Sequence, residues 1–399
     1  MKKWAIVLAI AALSACGTAS DTNETKSQAT APSEMSVSNA TSAPATGEKI
    51  ELAGSPPFDA YSFASFDEPW AMTFMPNGQL LVTEKSGQLL IVEQSGTKIA
   101  TVGGTPEVDY GGQGGLGDVV LHPEFAENNI IYLSFAEAGD DDTRGAAVLR
   151  AKLEITNAYA RLTDSEVIWR QTPKVTGRGH FGHRIAFSDD GYLFISSGDR
   201  QKFDPAQDMN STMGKVVRLN DDGSTPADNP FADQGGVTSQ IWSFGHRNPL
   251  GLSFDVNGQL WNSEMGPRHG DELNAVKPGN NYGYPLVSNG DHYNGDQIPD
   301  HDTRPDLVAP AAYWVPAISP AGLMIYSGDL FDGWTNNAFL GGLSSKALIR
   351  VELDGDQAKE VARYPMNQRI REIEQGPDGA IWLLEDLADG RLLKLVPNS

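Results

Sequence analysis

One pattern constrains this chain more than any other: a short apolar run, a turn built on Gly, Asn, Asp or Pro, and a second apolar run, repeated along its length. Ala71 to Phe74, Pro76-Asn77-Gly78, Gln79 to Thr83, Ser86-Gly87 and Gln88 to Val92 make the first unit. Gly117 to Leu121 and Ile130 to Phe135 flank the turns of the second, and Arg184 to Phe187 and Tyr192 to Ser196 flank Asp189-Asp190-Gly191 in the third. Leu250 to Trp261 double back over Asn257-Gly258 in the fourth. Gly322 to Tyr326 with Ala338 to Leu353 make the fifth; Ile370 to Glu374, Ala380 to Leu384 and Arg391 to Val396 make the sixth. Each reads as strands joined by tight turns. Six such units, about 40 to 80 residues apart, predict radial repetition: an all-β, six-bladed propeller of four-stranded antiparallel blades. A β-sandwich is the structural alternative, although a single core rarely takes so many similar hairpins. Tyr61 to Ser65 is expected to lend an outer strand to the last blade and close the ring. No stretch has the length, periodicity and caps of an amphipathic helix; Asp204 to Thr212 is at most a short helical turn.

The first 49 residues have a different character. Met1-Lys2-Lys3 is basic, Trp4 to Ala12 is apolar, and Leu13-Ser14-Ala15 places small residues before the single cysteine, Cys16. This is the pattern of a secretory signal. Leu-Ser-Ala-Cys followed by Gly17 resembles a bacterial lipobox, in which Cys16 is lipidated and becomes the mature N-terminus; an ordinary cleaved signal peptide is the alternative. Residues 17–49 are rich in Ser, Thr and Ala with few large apolar groups, so they are expected to be a disordered tether, with the catalytic domain over 50–399. No other apolar run approaches the roughly 20 residues that span a bilayer. The expected location is therefore the periplasmic side of a membrane, held through a lipid anchor only. Gly17 carries no inner-membrane retention signal of the Asp type, which favours the outer membrane. A net charge of -22 argues against nucleic acid as partner, since a phosphate backbone needs a cationic face.

Chemistry concentrates in Ile241 to Pro285. Gly245-His246-Arg247-Asn248-Pro249 leads into the fourth unit, and Glu264-Met265-Gly266-Pro267 with Asp271 and Glu272 follows it. A Gly-Pro turn aims backbone carbonyls, and carbonyls with nearby carboxylates suit a hard cation such as Ca²⁺. His180 sits in a Gly-rich loop before the third unit and Asp199 follows that unit's second strand; a His held by a carboxylate is the usual general base. His180 and His183 also form an H-x-x-H pair, but neither a third ligand nor an aligning helix is evident. Arg369 and Arg371, two apart on a predicted strand, point the same way and suit paired carboxylates.

These segments, Gly245 to Pro249, Ser263 to Asn274 and Gly279 to Pro285, resemble the soluble quinoprotein glucose dehydrogenases and aldose sugar dehydrogenases, also called glucose/sorbosone dehydrogenases. Further matches in family order are Gly112 to Leu116, Gly179 to Arg184 with Ser197-Gly198-Asp199, Met213 to Val216, and Arg369-Ile370-Arg371. The resemblance implies six blades, the cofactor pyrroloquinoline quinone (PQQ), and Ca²⁺. It implies His180 as base, Asp199 as its support, and Arg247 and Asn248 at the quinone. Arg369 and Arg371 would hold its carboxylates, Gln113 would make a further contact, and Trp314 would flank the site. Gly266 and Pro267 would offer carbonyls to the Ca²⁺ at the cofactor; Glu272 and the Tyr282 backbone fit a second, structural Ca²⁺, with Asp271 a weaker ligand for either.

Two positions depart from the soluble glucose dehydrogenases. Gly179 stands where they have an Asp, and Ser344 where they have a Lys that reaches the cofactor; Lys346, on the same face of a predicted strand, is the expected substitute. The implied activity is oxidation of aldose sugars at C1 to aldonolactones, with electrons leaving to an external acceptor. A Ca²⁺-dependent propeller hydrolase of the lactonase kind is the first rival, and the Arg369/Arg371 pair with Arg247 speaks against it because a lactonase needs no tricarboxylate pocket. The second is a non-catalytic surface protein that binds sugar or quinone.

Overall fold

The computed structural model describes residues 47–398; Cys16 and the predicted tether as far as residue 46 lie outside the described residues. The described residues form six antiparallel sheets, five of four strands and one of five. Blade 1 consists of Pro69–Phe74, Leu80–Glu84, Gln88–Val92 and Lys98–Thr101. Blade 2 consists of Leu116–Leu121, Ile130–Ala138, Arg144–Ile155 and Ala160–Arg170; blade 3 of Gly182–Phe187, Leu193–Ser197, Lys215–Leu219 and Ile241–Phe244. Blade 4 has Pro249–Phe254, Leu260–Glu264, Asp271–Val276 and Ala312–Trp314; blade 5 has Pro320–Ile325, Asn337–Gly342, Ala347–Asp354 and Gln357–Pro365. Blade 6 joins Ile370–Gln375, Ile381–Glu385 and Gly390–Pro397 to Phe58–Phe66, and Glu48–Ile50 adds a fifth strand outside.

The ring closes as the sequence leads one to expect. Phe58–Phe66, from the start of the domain, pairs antiparallel with Gly390–Pro397 from its end, with Tyr61 opposite Lys394 and Ser65 opposite Arg391. Ring closure leaves each blade's faces against its neighbours, which is why the inner strands are apolar throughout rather than alternating. Each of the six blade-to-blade seams carries its own buried apolar cluster. Trp382 of blade 6 packs on Phe74 of blade 1 in one of them. Among the described residues helix is confined to single turns, Phe125–Asn128 and a few 3₁₀ segments including Asp204–Ala206.

This architecture explains how distant residues meet. In every blade the first strand begins, and the second strand ends, at one and the same end of the ring. Two classes of loop therefore gather there: those entering a blade's first strand and those linking its second and third strands. Gln113, His180, Arg247, Asn248 and Arg369 lie in the first class; Lys85, Asp199, Gly266, Pro267, Ser344, Lys346 and Asp386 lie in the second.

Candidate active site

Two adjoining cavities open at this end of the axis. The central one, about 540 Å³, is lined by Trp70, Lys85, Gln113, His183, Met265, Arg369, Arg371 and Asp386. The other, about 440 Å³, is a mouth lined by His180, Gln201, Phe203, Arg247, Pro267, Tyr284 and Tyr293. Gln113 joins them, its Oε1 accepting the His180 backbone N–H at 2.7 Å.

His180 is the best-defined acid–base group. Its Nδ1 lies 2.6 Å from Asp199 Oδ1, and both residues are buried. A carboxylate accepts only, so the proton sits on Nδ1 and the Nε2 lone pair is left free. Asp199 is itself fixed, its carboxylate accepting the backbone N–H groups of Gln201 at 3.0 Å and Phe203 at 3.3 Å. Burial pushes His180 below the usual imidazole value; Asp199 opposes this, and Arg247 and Arg200 add to it. The ring is consequently a neutral base at physiological pH.

Arg247 is anchored from three sides. Glu264 Oε2 accepts its backbone N–H at 2.6 Å, and its Nη1 donates to the carbonyls of Met265 at 3.0 Å and Gly266 at 2.5 Å. Its carbonyl in turn accepts the Asp199 N–H at 2.7 Å, which ties the Arg247 loop to the His180–Asp199 pair. Arg247 Nε, Asn248 Oδ1 and the Tyr284 hydroxyl are buried and have no hydrogen-bond partner among the described residues. Three such atoms beside one base are costly for a fold unless a polar ligand completes them.

Across the central cavity, Arg369 and Arg371 converge on one carboxylate. Arg369 Nε donates to Asp386 Oδ2 at 2.7 Å, and Arg371 Nε and Nη2 donate to Oδ1 at 2.8 and 2.6 Å. Burial raises Asp386, but Arg371 and Arg369 together outweigh it and hold the carboxyl below its usual range. Lys85 stands on the same wall, 3.2 Å from Glu68 and 3.3 Å from the Gly112 carbonyl.

A family model described as "Glucose / Sorbosone dehydrogenase" matches residues 66–394, which is the whole ring apart from the outer strands at its closure. The chain belongs to the glucose/sorbosone dehydrogenase family. It is therefore an oxidoreductase. This glucose/sorbosone dehydrogenase is 39% identical over 341 residues to Aldose sugar dehydrogenase YliI of Escherichia coli K12, covering 84% of this chain and 91% of that one. The apo-form crystal structure of the E. coli soluble aldose sugar dehydrogenase superposes with a TM-score of 0.82 at 38% identity, over 86% of this chain and all of that one. The PQQ-bound aldose sugar dehydrogenase of Streptomyces coelicolor superposes with a TM-score of 0.69 at 26% identity, over 89% and 99%.

Several expected positions of this family member differ in the structure. Trp314 does not flank either cavity: it lies on the outermost strand of blade 4, buried in the seam with blade 5, and its Nε1 donates to Glu360 Oε2 at 2.6 Å. Ser344 and Lys346 are not on a strand. They form the turn between Asn337–Gly342 and Ala347–Asp354, with Lys346 at φ 50°, so the same-face argument does not apply, and neither lines the central cavity or the mouth. Asp271 has partners already, its oxygens accepting the backbone N–H groups of Gly266, Ile318 and Ser319 at 2.9, 2.7 and 2.7 Å. It shapes the Gly266 turn. His183 bonds Ser134 Oγ at 2.7 Å, stacks on Trp70, and is pushed down to about 3 by burial, so it walls the cavity as a neutral ring.

Glu272 is buried and bonded to His301 and Asn274, each at 3.2 Å. Asn274 also bonds Glu264, which bonds His246, on whose ring Tyr282 stacks at 4.7 Å. Burial, followed by the Glu264 charge among other groups, raises Glu272 above the usual carboxylate range.

Lys85, Gln201, Tyr284 and Asp386 were not legible as site residues. For Lys85, Gln201 and Asp386 the signal is positional: each lies just after the end of a blade's second strand, as Asp199 and Gly266 do. Lys215 was legible only as part of a motif. It is buried on blade 3, and its Nζ donates to the carbonyls of Pro205, Ala206 and Met213 at 2.7, 3.1 and 2.8 Å, clamping the loop that follows Asp199. Lys215→Met is expected to cost about 3 kcal/mol, because buried carbonyls are left without a donor. Denaturant unfolding checks this; a change below about 1 kcal/mol would mean the clamp is dispensable.

Proposed function

We propose that the chain is a PQQ- and Ca²⁺-dependent aldose dehydrogenase that oxidises the C1 hydroxyl to the aldonolactone and passes electrons to an external acceptor. The observation that carries the reading is the group of partnerless polar atoms, Arg247 Nε, Asn248 Oδ1 and the Tyr284 hydroxyl, beside the His180–Asp199 pair and next to a cavity walled by Arg369 and Arg371. A flat tricarboxylate with quinone oxygens fits the donors among them, Arg247 Nε and the Tyr284 hydroxyl, together with the guanidiniums of Arg369 and Arg371, and the likeness to a PQQ-bound relative supports it. Arg369, Arg371 and Lys85 would hold carboxylates, and Gln113, Arg247 and Asn248 the ring system. PQQ, when bound, supplies the two-electron acceptor.

His180 Nε2 takes the proton of the C1 hydroxyl. Asp199 keeps the ring in the tautomer that can do so and stabilises the imidazolium that results. Arg247 holds positive charge where an oxygen gains negative charge, at no cost of reorganisation because its contacts are already made. Among the described residues no group of three or more His, Cys, Asp or Glu is arranged to hold a metal ion. Ca²⁺ at the cofactor would therefore rest on the Gly266 and Pro267 carbonyls. For the second Ca²⁺, Glu272 with the Tyr282 carbonyl remains the proposed site; the partnerless Asn262 and Asn274 Oδ1 atoms close by support it. By the same reading the protein is exported and anchored through Cys16 to the periplasmic face of the outer membrane.

The test is reconstitution: chain, PQQ, Ca²⁺ and a redox dye, with aldose added last. Dye reduction that requires both additions and stops with chelator is expected; none across a panel of aldoses would end the reading. The pH profile gives a second check. Only neutral His180 is a base, and its value lies below the ordinary 6.5 or so. Activity is therefore expected to hold through neutrality and fall only as pH drops through that lowered value. Asp199→Asn removes the anion that raises it, so the acid limb should move further down while kcat falls by roughly 10²- to 10⁴-fold. An acid limb above about 7 would contradict the assignment of His180.

A further inference from the structure

Of the polar side chains in the mouth that this chemistry leaves unused, Gln201 is the one presented by the loop that carries Asp199. It lines the mouth together with His180 and Arg247. Its backbone N–H is bound to Asp199, while its side chain is exposed in the mouth and makes no hydrogen bond to the described residues. The carboxamide nevertheless has a definite seat. It lies against the Cα of Gly179, the residue before His180, so closely that a Cβ on Gly179 would stand 2.6 Å from Gln201 Cδ and Oε1 and 2.9 Å from Nε2.

The backbone that presents Gln201 is held rigidly. Arg200, Gln201 and Phe203 all have positive φ, at 56°, 60° and 63°. Non-glycine residues stay in that region only where their surroundings over-determine it. Here they do. The Arg200 guanidinium donates to the Gly179 carbonyl at 2.8 Å and the Arg144 carbonyl at 2.6 Å, and it stacks on Phe181 at 3.8 Å. Asp199 holds the N–H groups of Gln201 and Phe203, and Lys215 clamps the loop beyond. A strained loop pinned on both sides thus presents the exposed Gln201 carboxamide beside the base, against the Cα of Gly179.

We propose that Gln201 is a substrate-binding residue: its carboxamide bonds a ring hydroxyl of the aldopyranose close to the carbon that reacts at His180, and the bare Cα of Gly179 gives it room to do so. This rests on the aldose dehydrogenase reading. A carboxamide donates and accepts, as a sugar hydroxyl does, and adds no charge beside His180. The pinned loop fixes where its backbone stands, so no loop ordering has to accompany binding.

The test uses the full chain loaded with PQQ and Ca²⁺, in the forms Gln201→Ala, Gly179→Ala and the double variant. Gln201→Ala should raise KM for glucose about 3- to 10-fold with kcat changed less than about twofold. Gly179→Ala should do the same without lowering Tm, because its Cβ displaces only the end of a flexible side chain and Gly179 is not at positive φ. The double variant should be no worse than Gln201→Ala, since both changes remove one contact. Saturation-transfer NMR of glucose on the protein, which needs no turnover, should show weaker binding in both single variants. An unchanged KM and NMR signal in Gln201→Ala, or additive losses in the double variant, would overturn the assignment of Gln201 while leaving the dehydrogenase reading intact. Absence of turnover by the unmodified loaded chain would overturn both.

Discussion

His180→Ala is expected to reduce kcat for aldose oxidation by roughly 10²- to 10⁴-fold, the contribution of a positioned general base, with PQQ affinity changed far less. The reasons are local. Nδ1 is taken by Asp199 at 2.6 Å, leaving Nε2 as the only lone pair of the ring, and the ring lines the mouth opposite Arg247. Removal of the ring also strands Asp199, a buried carboxylate whose remaining partners are the Gln201 and Phe203 N–H groups. Some loss of stability will accompany the loss of rate. His180→Gln, which keeps a donor toward Asp199, separates the two: it should recover most of the stability and little of the rate. Recovery of rate in that variant would show that His180 positions rather than reacts.

Arg369→Ala and Arg371→Ala are each expected to weaken PQQ binding by about ten- to a hundredfold, the 1.5 to 3 kcal/mol typical of a hydrogen bond to a charged group. The double variant should lose binding beyond measurement. In the structure both guanidiniums rest on Asp386, so each single variant leaves that carboxylate one partner and the double variant leaves it none. Asp386 then repels an incoming carboxylate, and the two losses should exceed their sum. Stability should barely change for Arg369, whose side chain is 40% exposed, because solvent screens such a pair. Fluorescence titration of the apo chain with PQQ in Ca²⁺ reads this directly. Equal PQQ affinity in the double variant would move the cofactor away from this wall.

The propeller was legible because its signal is local and repeated: an inner strand buried on both faces reads as a continuous apolar run, and Asn-Gly or Asp-Gly marks its hairpin. Blade 6 could be closed on paper for the same reason, as Tyr61 to Ser65 carries the alternation of an edge strand. The site was legible where chemistry sits in a compact motif, as with His180, Asp199 and Arg247. It was illegible where side-chain direction matters. Trp314 adjoins a site loop in sequence, but blade 4's outermost strand turns its ring into the seam with blade 5. Lys346 ends the turn formed by Leu343, Ser344 and Ser345, and a strand's period of two has no meaning across a turn. Asp271 reads in the sequence only as a carboxylate that suits a cation; the three N–H groups pointing at it, which no motif announces, show that it also stabilises a bend. Gln201 and Asp386 carry no motif at all, and what brings them to the site is the rule that second strands end where first strands begin.

The measurement that tests the central claim most directly is the fate of deuterium placed at C1 of glucose, followed by mass spectrometry of the product from the chain loaded with PQQ and Ca²⁺. Oxidation at C1 predicts a lactone that carries none of the label, formed with a primary isotope effect on dye reduction and abolished with His180→Ala. A product that keeps its deuterium, or labelled sugar recovered unchanged while dye is reduced, would contradict it.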